Sequence, residues 1–209
     1  LTTKEAPALA GVDIGRRAMK IVAFDGSTYR QTPVGVRVQR LLDSLAAEGA
    51  ETELVRLEKD GRTGCTACGR CGHRLDLKCS DPPEDGLRSC VRKLRAADAV
   101  IIGTPVYSTR GSPATQALLN RLEHDRLGRD DSRLAGKPAA VVVDPRRPGA
   151  GAVAAGVGGR LRANGLVVVG DTLLAPEEEG GARSGVAGVA PDVAELARAL
   201  LEALGVETE

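Results

Sequence analysis

Residues 98–107 read DAVIIGTPVY. The run from Ala99 to Ile102 has no polar break, and it stops at Gly103 and Pro105, both strong turn formers. A short apolar run bounded in this way is the pattern of a strand buried on both faces. The same pattern recurs upstream in MKIVAF (19–24), closed by Asp25-Gly26, and downstream in KPAAVVV (137–143). ETELVRL (51–57) alternates as a further strand, and Leu166 to Val169 forms a fifth. Thr172 to Ala175 either extends the fifth strand or makes an edge.

Helical periodicity fills the gaps between these runs. Val34, Val38, Leu41, Leu42 and Leu45 share one face of a helix over 34–47, with Pro33 in its first turn, where a missing N–H costs nothing, and Gly49 beyond its end. Leu87, Val91 and Leu94 mark a helix over 84–97, and Pro113 opens another that runs to about His124. A glycine-broken helix is expected over 152–164, and a last one over 192–204. Five apolar strands alternating with helices give an α/β fold: a parallel sheet with both faces covered and right-handed crossovers. In such sheets ligands bind beyond the carboxyl ends of the strands, near the switch in strand order.

Bulk composition narrows the function. The chain has 209 residues, which suits a single domain with its own core. Residues 1–18 read as an N-terminal extension, and 19–209 as the domain. Lysine and arginine total 29 against 28 acidic residues, a net charge of +1, so no strong field recruits nucleic acid or an anionic membrane. Aromatic residues are 1% of the chain, which leaves little surface for stacking bases. No apolar run approaches the roughly 20 residues of a membrane span, and the first residues lack the apolar core of a signal peptide. The expectation is a cytoplasmic protein. In that reducing setting clustered cysteines hold metal or do redox work more often than they form disulfides.

The unusual chemistry lies in four segments that follow strands. GSTYRQTP (26–33) joins the first strand to the first helix. Ser27, Thr28 and Thr32 supply hydroxyls, Arg30 supplies a guanidinium, and the helix start supplies amides, a set suited to a phosphate. It is neither the G-x-x-x-x-G-K-[ST] nor the G-x-G-x-x-G pattern, and the plain alternative is an ordinary capped connection. CTACGRCGHRLDLKC (65–79) lies in a cysteine-rich insertion over 63–82. Cys65, Cys68 and Cys71 at two-residue gaps, with Cys79 closing the set, suit four thiolates on an iron–sulfur cluster. Zinc, with His73 nearby, and uncommitted or disulfide-forming thiols are the alternatives. Cys90, in the next helix, reads as a small buried apolar residue. TPVYSTRGSP (104–113) reads as a loop in which small residues after Pro105, Val106 and Tyr107, from Ser108 to Ser112, leave room for a flat ligand. DPRRPGAG (144–151) is the fourth.

The order MKIVAFDGS, CTACGRC…C, ADAVIIGTPVY and SPATQALLNRLE resembles the iron–sulfur flavoproteins, within the NADPH-dependent FMN reductase group of flavodoxin-like proteins. The resemblance implies a flavodoxin-like, doubly wound five-stranded parallel sheet carrying the cysteine loop as an insertion. It implies FMN, with phosphate on the first loop at Ser27, Thr28, Arg30 and Thr32. The isoalloxazine would lie against Pro105, Val106, Tyr107 and Ser108 and the glycines of the fourth-strand loop, Gly149 and Gly151. It implies a 4Fe–4S cluster on Cys65, Cys68, Cys71 and Cys79, and assembly as a homodimer or homotetramer. The first loop departs from the family's usual Gly-Ser-x-Arg spacing, and Pro33 stands where Asn is usual. The resulting expectation is an electron-transfer oxidoreductase with NAD(P)H as a possible donor and a small molecule or a protein as acceptor. No acid–base side chain is assigned, since hydride transfer needs none. An FMN-dependent quinone or flavin reductase with zinc or uncommitted thiols, and a non-catalytic thiol sensor on the same fold, are the alternatives.

Overall fold

The computed structural model describes residues 18–29, 31–57, 86–126, 133–169 and 192–206. Strands β1 (Lys20–Asp25), β2 (Glu51–Arg56) and β3 (Ala99–Gly103) follow the order of the sequence, with helix α1 (Pro33–Ala47) after β1 and α2 (Gly86–Ala96) before β3. Two short strands, β4 (Val106–Tyr107) and β5 (Arg110–Gly111), precede α3 (Pro113–Arg126). The chain continues through β6 (Pro138–Val142), α4 (Ala150–Ala163), β7 (Val167–Val168) and α5 (Val193–Ala203).

The main sheet has the order β2-β1-β3-β6-β7, and every neighbouring pair is parallel. This is the flavodoxin-type doubly wound order, with its switch point between β1 and β3. The chain winds outward from β1 to β2, then crosses back to build the other side. The period of two along β1 sorts its side chains by face. Ile21 and Ala23 pack with Leu41 and Leu45 of α1 and Leu196 and Leu200 of α5. Val22 and Phe24 pack with Leu87 and Leu94 of α2, Leu118 and Leu122 of α3, and Leu161 of α4. Phe24, the one phenylalanine, is fully buried. Both faces of β3 and β6 are buried along their whole lengths, which is why these strands read as unbroken apolar runs.

Two arginine and lysine contacts lock the helices to this frame. Lys137 is buried, and its Nζ donates to the carbonyls of Leu94 and Arg95 at 2.8 and 2.9 Å, capping the carboxyl end of α2. Arg160 of α4 reaches across to α3. It donates to Glu123 Oε1 at 2.6 Å, Gln116 Oε1 at 2.8 Å and Asn120 Oδ1 at 2.7 Å. These three acceptors lie on one stripe of α3, as positions three and four apart must.

Several expectations shift in detail. The segment 104–113, expected as a loop, contains an antiparallel hairpin in which Val106 pairs with Gly111 and Tyr107 with Arg110. Its turn is Ser-Thr, which carries none of the Asn-Gly signal of a tight hairpin. Helix α4 begins at Ala150, two residues before the expected start, because Gly149 caps it in the left-handed region at φ 86°. The N-terminal extension up to residue 17, the cysteine segment 63–82 and Thr172 to Ala175 lie outside the described residues. Among the described residues no helix is long and apolar enough to cross a membrane.

The Arg160 clamp predicts a specific stability loss. Arg160→Ala removes three charge-assisted bonds on a partly exposed surface, and should lower unfolding free energy by about 2 kcal/mol. Arg160→Lys should recover less than half of that, since a point ammonium cannot serve three acceptors as a planar fork does. Urea denaturation midpoints at unchanged slope would measure both.

Candidate functional site

The parallel registers bring four strand ends together. Asp25 of β1 stands opposite Arg56 of β2 and opposite Gly103 of β3, and Gly103 stands opposite Val142 of β6. The Gly26 N–H donates to the Gly103 carbonyl at 2.9 Å, and the Thr104 N–H to the Val142 carbonyl at 2.9 Å. The ladder therefore continues one residue past each strand before the loops diverge.

The first turn is shaped by Asp25, which is wholly buried. Its Oδ1 accepts from the Ser27 N–H at 2.9 Å, an Asx turn, and its Oδ2 accepts from Arg56 Nη1 at 3.2 Å. Gly26 lies tight against the start of α3. A Cβ there would come within 2.1 Å of Thr115 Oγ1 and 2.6 Å of Ser112 Oγ, so only glycine fits. Beyond it, Thr32 caps α1 by accepting from the Gly35 N–H at 3.0 Å and donates its own proton to Ser27 Oγ at 2.7 Å. The Ser27 hydroxyl accepts that bond, which leaves its own proton for another acceptor. Pro33 takes the first helical position and Gly35 is capped, and Val34 carries a first-turn amide that has no acceptor within the helix.

The second loop is the β4–β5 hairpin. Ser108 and Thr109 both have positive φ, 44° and 68°, as a turn that follows the right-handed twist of its strands requires. Neither is glycine, so the turn holds backbone strain at the rim. Thr104 anchors its base: Oγ1 accepts from the Ser112 N–H at 2.9 Å and donates to the Pro105 carbonyl at 3.2 Å. Val106 packs on the core, while Tyr107 is 47% exposed and its hydroxyl lies 3.0 Å from Thr28 Oγ1. That bond joins the hairpin to the first loop.

The third loop follows β6. Asp144 is buried and accepts from the Arg146 backbone N–H at 3.2 Å and from Arg146 Nε and Nη2 at 3.0 and 3.1 Å. Arg37 of α1, also buried, brings Nη1 to 3.5 Å from the same carboxylate. Burial pushes the Asp144 carboxyl up, but the hydrogen bonds and charge of Arg146 and the charge of Arg37 outweigh it and hold it below the ordinary carboxylate range. Burial lowers the Arg37 guanidinium, against the pull of Asp144. At the far end of the loop, a Cβ on Gly149 would sit 3.2 Å from Thr109 Cγ2, so the hairpin tip rests on this glycine. Gly151 faces open space.

Ser27, Thr28, Thr32, Pro105, Val106, Tyr107, Ser108 and Gly149 thus meet along the carboxyl rim of β1, β3 and β6, with Gly151 one residue into α4. Arg30 and the four cysteines Cys65, Cys68, Cys71 and Cys79 lie outside the described residues. Among the described residues no group of three His, Cys, Asp or Glu side chains could hold a metal ion. The sequence reading passed over Asp25, Arg56, Arg37 and Asp144. Their signal was an aspartate directly after an apolar run, at VAFD and VVVD.

Gly26→Ala should cost about 2 kcal/mol by overpacking, and adding Thr115→Ala, which removes the nearest atom, should recover part of it in thermal melts. Asp144 titrates lower in the folded chain than its unfolded value of about 3.9, so its stabilisation is present above that pH and is lost as the pH falls through the folded value. Asp144→Asn should be less stable at neutral pH, where it leaves Arg37 buried without its counter-charge. It should also lose less stability than the native chain on acidification below about pH 4, measured by denaturation across pH.

The model of the NADPH-dependent FMN reductase family matches residues 19–180. An iron–sulfur flavoprotein of Methanocaldococcus jannaschii is 30% identical over 110 residues, covering 53% of this chain and 55% of that protein. An iron–sulfur flavoprotein of Methanosarcina thermophila is 28% identical over 155 residues, covering 73% of this chain and 78% of that protein. The chain therefore spans about half the length of the first relative and most of the second. The solved structure of FerB, a flavoenzyme NAD(P)H:(acceptor) oxidoreductase from Paracoccus denitrificans, shares the fold at a TM-score of 0.57 and 22% identity, covering 90% of this chain and 98% of that one. With the sheet order and the rim loops described above, the match over residues 19–180 establishes that this chain belongs to the NADPH-dependent FMN reductase family.

Proposed function

We propose that the chain is an FMN-dependent electron-transfer oxidoreductase whose four clustered cysteines carry a 4Fe–4S cluster. The observation that carries this reading is where the cysteine segment attaches. Arg56, the last residue of β2, is bonded to Asp25 beneath the Ser27 turn, and the cysteine segment 63–82 follows that strand end in the sequence, with five residues between it and Leu57. The strand that precedes the segment thus ends at the same rim that holds the hydroxyls and the hairpin. The names of the two methanogen relatives, both iron–sulfur flavoproteins, support the pairing of cofactors.

The rim residues fit a phosphorylated flavin. Ser27 and Thr28 present hydroxyls, Thr32 orients Ser27 by donating to it, and the first turn of α1 presents the Val34 amide, a neutral donor set suited to a phosphate monoester. Arg30 would add charge. Pro105 to Ser108 and the loop from Asp144 to Gly151 would flank the ring, with the hairpin propped on Gly149. When bound, FMN supplies the exchange between two-electron donors and one-electron acceptors. The polypeptide's part is to hold ring and cluster at a fixed separation and limit the access of water. Cys65, Cys68, Cys71 and Cys79 would supply the thiolates, and a cytoplasmic, reducing setting suits them. NAD(P)H is the proposed donor, a small molecule or a protein the acceptor, and a homodimer or homotetramer the assembly.

Purification under anaerobic conditions, followed by flavin, iron, sulfide and zinc analysis, tests this reading. Stoichiometric FMN with iron and sulfide in the proportions of a cubane cluster is expected. Cys68→Ala should lose the iron and keep the FMN. Zinc in place of iron, or thiols without metal, would leave an FMN reductase without a cluster, and absence of FMN would overturn the proposal.

A further inference from the structure

A buried carboxylate lies beneath the turn to which the proposed function assigns the phosphate. Asp25 is 0% exposed and takes the Ser27 N–H, an amide that an incoming anion would otherwise use. A phosphate held by the Ser27 and Thr28 hydroxyls would sit two and three residues along the chain from this negative charge. Such a site would reject the group it is shaped for unless the charge were cancelled. Arg56 supplies the cancellation, with Nη1 at 3.2 Å from Oδ2 and a side chain 25% exposed. It comes from the neighbouring strand at the paired position, so the contact is set by the register of β1 against β2.

We propose that the Asp25–Arg56 pair sets the selectivity of this site for a flavin bearing a phosphate over the same ring without one. The inference rests on the FMN reading above and adds to it a charge-setting residue, Arg56, that acts through Asp25 without touching the ligand. A tie between two strands alone would affect both flavins equally. An electrostatic role affects only the charged one, because riboflavin brings the same ring and no phosphate. Arg30 is unchanged in every variant below, so its contribution cancels from the comparisons.

The measurement is the ratio of riboflavin to FMN dissociation constants, by fluorescence quenching of each flavin added to the flavin-free full-length chain. Arg56→Met exposes the ligand to an uncompensated buried charge. It should weaken FMN about tenfold and leave riboflavin within about twofold, the scale of one nearby charge acting on a dianion at an intermediate dielectric. Arg56→Lys should keep the native ratio. Asp25→Asn keeps the acceptor for the Ser27 N–H and removes the charge, so the ratio should move the opposite way, in favour of FMN. Asp25→Asn with Arg56→Met should return it to the native value. The shifts should shrink as ionic strength rises.

Equal changes in both flavins on Arg56→Met, or a ratio that falls on Asp25→Asn, would overturn the inference while leaving FMN binding intact. A native chain that binds neither flavin would overturn the proposed function and this inference with it. If Arg56→Met does not fold, Asp25→Asn alone decides by the direction of its ratio.

Discussion

The hydrogen bond from the Gly26 amide to the Gly103 carbonyl holds the rest of the rim in place. It extends the β1–β3 ladder by one residue at the point where the strand order reverses. It is possible only because Gly26 has no side chain: the hydroxyls of Ser112 and Thr115 fill the space where a Cβ would be. From that contact follow the start of α3 behind the turn, the Thr104 anchor of the hairpin, and the hairpin's reach toward Thr28. The turn is therefore narrow by packing as well as by hydrogen bonding. The two loops meet at this rim because the backbone can approach this closely at one residue.

Two buried carboxylates define the electrostatics of this rim. Each stands directly after an apolar strand run, and each meets an arginine from a different element: Arg56 from β2 for Asp25, and Arg37 from α1 for Asp144. Burying such a charge is costly unless it is paired and hydrogen-bonded, and here backbone amides complete both sets, Ser27 for one and Arg146 for the other. The two aspartates thus fold the loops that leave β1 and β6. Negative charge shapes the loops, and the arginines keep the resulting field close to neutral.

Membership of the FMN reductase family and the flavodoxin-type sheet do not by themselves assign chemistry, because one fold carries many reactions. Two features of this chain bear on its chemistry: four cysteines within residues 65–79, after β2 in the sequence, and a first turn bonded to the end of that same strand. The strained Ser108–Thr109 turn is a further feature of the rim. Its two positive-φ residues are held between Gly149 on one side and the Tyr107–Thr28 contact on the other, where surrounding structure can sustain the strain.

Local pattern was enough to read much of this. The apolar runs at 21–24, 99–102 and 138–143 marked buried parallel strands, because a strand covered on both faces has no polar positions to alternate. Pro33 and Pro113 marked helix starts, since a proline in the first turn removes an orphan amide there, and the structure adds the capping hydroxyls of Thr32 and Ser112. The hydroxyls of the first loop were legible for the same local reason. Tertiary structure alone decided the rest. A Ser-Thr turn carries no composition signal for positive φ, and its conformation depends on the glycine it rests against. Pairings such as Asp25 with Arg56 and Asp144 with Arg37 join residues far apart in the chain. They exist because strand register and helix placement bring distant charges within bonding distance, and no periodicity along the sequence encodes that meeting.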